Sequence, residues 1–164
     1  MKHTISVLVE NEFGVLSRVA GLFSGRGFNI ESLSVAPALD PTISRMTIVT
    51  SGDDQVLEQI TKQLNKLIDT IKIIDFTGQD FIEREMGMIK VTAEEGTRAE
   101  VLRIVDIFRA KVVDVTPRSY TIEVTGSPSK IDAVVELLRP MGIKELVRSG
   151  PVVLGRGPKG WRNS

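Results

Sequence analysis

The sequence predicts an α+β protein built from two consecutive ferredoxin-like βαββαβ units. Three observations lead there. Short segments that alternate apolar and polar residues are separated by segments with apolar residues at helical spacing. The order strand, helix, strand, strand, helix, strand occurs twice along the 164 residues. Proline falls at the junctions rather than inside the periodic segments.

The first unit opens with a strand over His3–Val9, where Ile5, Val7 and Val9 alternate with polar neighbours. Residues 11–14 break it. Val15, Leu16, Val19, Ala20, Leu22 and Phe23 then recur on one helical face, and Gly25 and Gly27 end that helix. Phe28–Ala36 is the second strand. Pro37-Ala38-Leu39-Asp40-Pro41 is a turn, because two prolines flank an aspartate. Ile43–Thr50 is the third strand. Asp53 starts the second helix, with Val56, Leu57, Ile60, Leu64 and Leu67 on its apolar face. Ile71–Phe76 is the fourth strand.

The second unit repeats this order: a strand over Met86–Thr92, a helix from Thr97, and strands over Lys111–Val115 and Tyr120–Thr125. Ser127-Pro128 opens the last helix, with proline suited to its first position. A short strand over Ile143–Val147 closes the unit. The expected organisation is residues 1–76 as one domain, 77–85 as a polar linker, 86–150 as a second domain and 151–164 as a basic tail. Such a unit lays two helices on one face of its sheet. The other face is expected to lie bare, with Val7, Val9, Leu33, Val35 and Ile48 available to occupy it. A bare apolar face and open sheet edges both invite a partner, so dimerisation through the first unit is expected.

Composition excludes several functions. Lys plus Arg and Asp plus Glu number 21 each. A net charge of zero argues against nucleic-acid binding, which needs a cationic face. The central strands, His3–Val9 and Ile43–Ser51, carry no aromatic residue on which a base would stack. The chain has no cysteine, so thiolate metal sites and thiol nucleophiles are absent and a cytoplasmic location is expected. No apolar run is long enough to suggest a membrane span, and the N-terminus does not read as a signal peptide. His3 is the single histidine, expected at a strand start on the surface. Asp53-Asp54 and Glu94-Glu95 read as charges at helix N-termini. No catalytic or metal-binding set emerges.

The glycine motifs do not bind nucleotides. Gly155-Arg156-Gly157-Pro158-Lys159-Gly160 matches G-x-G-x-x-G, but no helix follows to aim its N-terminus at a pyrophosphate. The stretch Gly21 to Gly27 lacks the Lys-Ser/Thr that ends a P-loop. More informative is Gly14, at the start of the first helix. A helix N-terminus offers unpaired N–H groups and about half a positive charge, and glycine admits a close approach to them. Asn11 either caps the turn or hydrogen-bonds a ligand. Taken alone, the fragment is also compatible with a plain capped loop.

The run from Val9 to Ile30 contains the pattern N-x-x-G-V-L-x-R-V-x-x-L-F-x-x-R-G-F-N-I, from Asn11 to Ile30. It resembles the start of the regulatory small subunits of acetohydroxyacid synthase, also called acetolactate synthase. The likeness continues through Asp53–Asp75 into the second half, and the length matches the short bacterial type. The first half resembles an ACT domain, an amino-acid-sensing module. The resemblance implies a non-catalytic subunit that activates a catalytic large subunit and confers feedback inhibition by valine in branched-chain amino-acid biosynthesis. It implies no cofactor in this chain, with thiamine diphosphate, Mg²⁺ and FAD in the catalytic partner. It implies an effector site between two ACT domains, with Asn11, Gly14 and Val15 from one chain and Asn29 and Ile30 from the other. The valine carboxylate is expected on the N–H groups near Gly14 and Val15. Its ammonium is expected near Asn11 and Asn29, and its isopropyl group near Leu16 and Ile30. Val15, Leu16 and Ile30 also fit a plain core role, and Asn29 a turn. A free-standing ACT-type regulator of another enzyme stays open as the alternative.

Overall fold

The computed structural model describes residues 2–160. The chain divides into two units, residues 2–82 with 153–160, and residues 83–152. In the first, β1 (Lys2–Glu10), β2 (Asn29–Pro37), β3 (Ile43–Ser51) and β4 (Thr70–Asp75) form a sheet in the order β2-β3-β1-β4. Helices α1 (Val15–Gly25) and α2 (Asp54–Lys66) connect them. The second unit contains β5 (Phe81–Thr92), α3 (Arg98–Ile107), β6 (Lys111–Val115), β7 (Ser119–Gly126), α4 (Pro128–Leu138) and β8 (Ile143–Arg148). Its sheet order is β6-β7-β5-β8, the same permutation. Both units are therefore α+β with the βαββαβ order.

Local chemistry explains the boundaries. The Asp53 carboxylate accepts the Gln55 N–H at 2.7 Å and starts α2. The Ser127 hydroxyl accepts the Lys130 N–H at 3.3 Å ahead of Pro128, the first residue of α4. Each cap satisfies an amide that the helix itself leaves unpaired. The antiparallel register pairs Ile5 with Ile48 and Val7 with Met46, and all four lie fully buried against α1 and α2. The second core gathers Ile89, Val91 and Ile122 against Val101, Ile131 and Leu138.

Four sequence expectations need correction. Val7, Val9, Leu33 and Ile48 face the helices, because residues paired across an antiparallel ladder share a face. The opposite face carries Thr4, Ser6, Leu8, Thr47 and Val49, and it is buried. Arg45 crosses it, donating from Nε to Ser6 Oγ and from Nη2 to the Val153 carbonyl, each at 2.9 Å. Burial pulls the Arg45 pKa down from its usual value.

Val153 belongs to β9 (Val152–Gly155), which pairs with β5. The expected basic tail thus supplies a strand, since Val152-Val153-Leu154 is an apolar run and Val153 is buried. Arg162, in that expected tail, lies outside the described residues. The expected linker, 77–85, holds the first five residues of β5. Its Glu85 is buried and accepts two N–H groups of Arg148 on β8, a pairing that offsets the cost of burying a carboxylate.

His3 is buried rather than exposed, at 2% of its accessible surface. It sits within β1, one of the two central strands, opposite Thr50. Its Nδ1 lies 3.2 Å from Thr77 Oγ1 and its Nε2 3.2 Å from Asp54 Oδ1.

Candidate functional site

The entrance to α1 is shaped by its own loop. β1 ends at Glu10, and the Asn11 N–H donates to the Thr42 carbonyl at 2.8 Å. The Asn11 side-chain Nδ2 donates to the Pro41 carbonyl at 3.1 Å. Asn11 therefore staples the β1–α1 loop to the β2–β3 turn, and uses its amide nitrogen to do so. Its Oδ1 accepts no hydrogen bond among the described residues.

Gly14 follows with φ +78°, in the left-handed region where a side chain is strained. Its carbonyl accepts the Arg18 N–H at 3.0 Å and closes the first turn. No side chain caps this helix, and its first turn holds no acidic residue. The N–H groups of the first turn are thus left without an intrahelical partner at the positive end of the helix. Helix N-termini of this kind are suited to anions such as carboxylates.

Arg18 strengthens this polarity. Its Nε and Nη2 donate to Asp69 Oδ2 at 3.1 and 2.7 Å. Its Nη1 stands 2.9 Å from the point where a Cβ on Gly14 would lie. A guanidinium thus borders the glycine, anchored by Asp69 just beyond α2. Sequence reasoning did not single out Arg18 or Asp69. A signal was present: an arginine near a helix N-terminus opposes the macrodipole, so its position calls for a partner.

The six sequence-derived candidates separate into two groups. Asn11, Gly14, Val15 and Leu16 come together at the start of α1. Val15 is 2% exposed and its side chain belongs to the core, while Leu16 is 46% exposed. Asn29 and Ile30 begin β2, just beyond the other end of α1. An 11-residue helix spans about 16 Å, so one chain does not join the two groups into one pocket. Asn29 is exposed and its carbonyl accepts the Thr50 hydroxyl at 2.7 Å. Ile30 is half-buried against the core.

Elsewhere in the first unit a concavity of about 500 Å³ is lined by His3, Asp54, Glu58, Asp75 and Thr77 among others. Among the described residues no group of three or more histidine or acidic side chains is placed to share a metal ion. No helix among them is long and apolar enough to cross a membrane.

Comparison with known proteins matches both units. Residues 5–72 match the AHAS small subunit-like ACT domain, and residues 84–157 match the family described as small subunit of acetolactate synthase. A probable acetolactate synthase small subunit of Methanothermobacter thermautotrophicus is 55% identical over 158 residues, covering 96% of this chain and 94% of its own. The acetolactate synthase small subunit of Aquifex aeolicus is 56% identical over 156 residues, covering 94% of this chain and 81% of its own. The crystal structure of the small subunit from Thermotoga maritima superposes with a TM-score of 0.88 at 38% identity, over 97% of this chain and 99% of that one.

Proposed function

This chain belongs to the acetolactate synthase small-subunit family, and from that premise we propose that it activates the catalytic large subunit and makes it sensitive to valine. The observation that carries the effector reading is the uncapped N-terminus of α1 at Gly14, whose first turn holds no acid and which Arg18 borders. In this reading the valine carboxylate rests on the first-turn amides. The Asn11 Oδ1 accepts from its ammonium, and Leu16 meets its isopropyl group. The effector is a product of the branched-chain pathway that the enzyme opens, so the inhibition is feedback. Thiamine diphosphate, Mg²⁺ and FAD belong to the catalytic subunit, and this chain contributes no group to the reaction. A cytoplasmic location is part of the same reading.

The separation of the two residue groups supports a site shared by two copies. β2 is an edge strand of nine residues, and an edge strand can take a further strand beside it. Two such edges paired antiparallel about a twofold axis lay the start of one β2 beside the end of the other. The end of β2 leads into the turn that Asn11 holds. The partner copy's first β2 residues, its own Asn29 and Ile30, thereby approach the Asn11–Gly14 loop. Valine bound between the copies favours one dimer geometry, and inhibition follows if the catalytic subunit prefers another.

The test is reconstitution. Adding this chain to an acetolactate synthase catalytic subunit is expected to raise turnover and to introduce valine inhibition. Activation without valine sensitivity removes the effector assignment, and no activation removes the regulatory role.

A further inference from the structure

A buried imidazole borders the concavity at the opposite pole of the first unit. His3 stands near the start of β1, whereas Glu10, the last residue of that strand, leads into the Gly14 loop. The strand between them spans about 23 Å, so the two places are distinct. α2 supplies Asp54, Leu57, Glu58 and Lys62 to the concavity. Asp75 closes β4, and Thr77 follows it. The volume, about 500 Å³, suits a small organic molecule rather than a bare ion.

His3 is only 2% exposed, yet one of its ring nitrogens is open. Nδ1 meets Thr77 Oγ1 at 3.2 Å, whereas Nε2 is buried without a hydrogen-bond partner among the described residues. Asp54 Oδ1 approaches Nε2 to 3.2 Å, an ion-pair distance, but outside hydrogen-bond alignment. A buried polar atom left open is costly, and folded proteins seldom keep one without a purpose. The charge around it is one-sided. Asp54, Glu58 and Asp75 bring three carboxylates, and Lys62 is the only ammonium among the lining residues. Lys62 Nζ lies 3.5 Å from Glu58 Oε1, so those two offset each other. Asp54 and Asp75 remain in excess. With its proton on Nδ1, toward Thr77, the imidazole adds Nε2 to them as a further acceptor.

We propose that this concavity binds a small organic diamine in its dicationic form. One ammonium is held by His3 Nε2 and Asp54, the other by Asp75, and the hydrocarbon chain lies against Leu57. An ammonium carries N–H donors and no acceptor, which complements a cluster of acceptors. Two positive charges match the two carboxylates that Lys62 does not offset. A metal ion is a poorer match. It needs three or four protein ligands, and no three histidine or acidic side chains among the described residues are placed to share one. The site shares no residue with the Gly14 loop and does not depend on the effector reading made there.

The experiment titrates the full chain with diaminobutane at fixed pH and ionic strength and follows the ring nitrogens of His3 by NMR. His3 is the single histidine, so its signals need no further assignment. The Nε2 signal is expected to move and saturate. Butanediol, of the same length but uncharged, is expected to leave it in place. Asp54 is exposed and the cap of α2 is Asp53, so Asp54→Asn retains the fold. Asp54→Asn and Asp75→Asn are each expected to weaken binding about tenfold or more, the size of one charge-assisted contact. Glu95→Gln, exposed in the second unit, is expected to change it less than about twofold. An unmoved Nε2 signal, an equal response to butanediol or unchanged affinity in Asp54→Asn overturns the proposal. Tighter saturation by Mg²⁺ alone than by the diamine overturns it too, because the site is then a metal site. None of these outcomes bears on the reconstitution test, so the regulatory reading fails or stands separately.

Discussion

The two units share a strand permutation, yet the entrances to their first helices are opposite in character. α1 starts from Gly14 in the left-handed region, with no acidic residue in its first turn. α3 starts from Thr97, follows Glu94-Glu95, and carries Glu100 in its first turn. Glu12 stands before α1 much as Glu94-Glu95 stand before α3, so the difference lies in the first turn, where Glu100 occupies the field that α1 leaves open. The guanidinium near each entrance differs as well. Arg18 reaches Asp69 and borders Gly14, whereas Arg98 donates to the Pro117 carbonyl at 2.9 Å. The comparison teaches that a repeated fold does not repeat its chemistry. The proposed anion site rests on a glycine and on a first turn without acids, not on the βαββαβ frame.

The strongest way to test the independence of the units is to damage one core. Phe23 is fully buried beneath the first sheet, and Phe23→Ala is expected to destabilise that unit by about 3–5 kcal/mol. Hydrogen exchange is expected to quicken in β1, α1 and α2 while α3 and α4 keep their protection. Equal loss in both units removes the view that each core stands by itself.

The entrances are compared directly by placing a carboxylate at each. Gly14→Asp sets a side chain where φ is +78°, drives a Cβ against Arg18, and repels the effector carboxylate. Valine affinity is expected to fall at least a hundredfold, about 2.8 kcal/mol, with activation retained. Gly96→Asp, in the corresponding loop of the second unit with open space around it, is expected to leave affinity within about twofold. Calorimetry reads both, and equal losses end the asymmetry. Asn29→His adds bulk at the partner side of the proposed site and is expected to weaken valine by a smaller factor, seen in the inhibition curve.

Where the units are alike, their responses are expected to match. Asp53→Ala and Ser127→Ala each remove a helix cap and are expected to cost about 1 kcal/mol. Chemical denaturation followed unit by unit checks the parity. The smallest effect concerns the β2–β3 turn. The Thr42 hydroxyl and backbone N–H hold the Asp40 carboxyl below the usual aspartate range. A depressed pKa means this support is present above the unfolded value and is lost as pH falls through the folded one. NMR titration is expected to give an Asp40 midpoint below the ordinary value, with the Thr42 amide following it. An ordinary midpoint removes the link.

Much of this architecture is legible one segment at a time. Alternation marked the strands, apolar spacing marked the helices, and Asp53, Ser127 and Pro128 marked helix starts, because each signal lies within a few residues of its effect. Gly14 and Asn11 were legible for the same reason. His3 was not: its burial comes from Thr77 and Asp54, more than 50 positions away. The covered outer face of the first sheet was equally hidden, since Arg45 meets Val153 across 108 residues.

The amino-acid order by itself therefore determined the two βαββαβ units, their caps and the glycine that opens α1. Those features depend on backbone sterics and hydrogen bonds between near neighbours. Tertiary structure decided which sheet face is covered, that residues 152–155 form a strand, and that Arg18 lies beside Gly14. These outcomes depend on pairings between distant residues, which follow from burial and charge once the chain has folded.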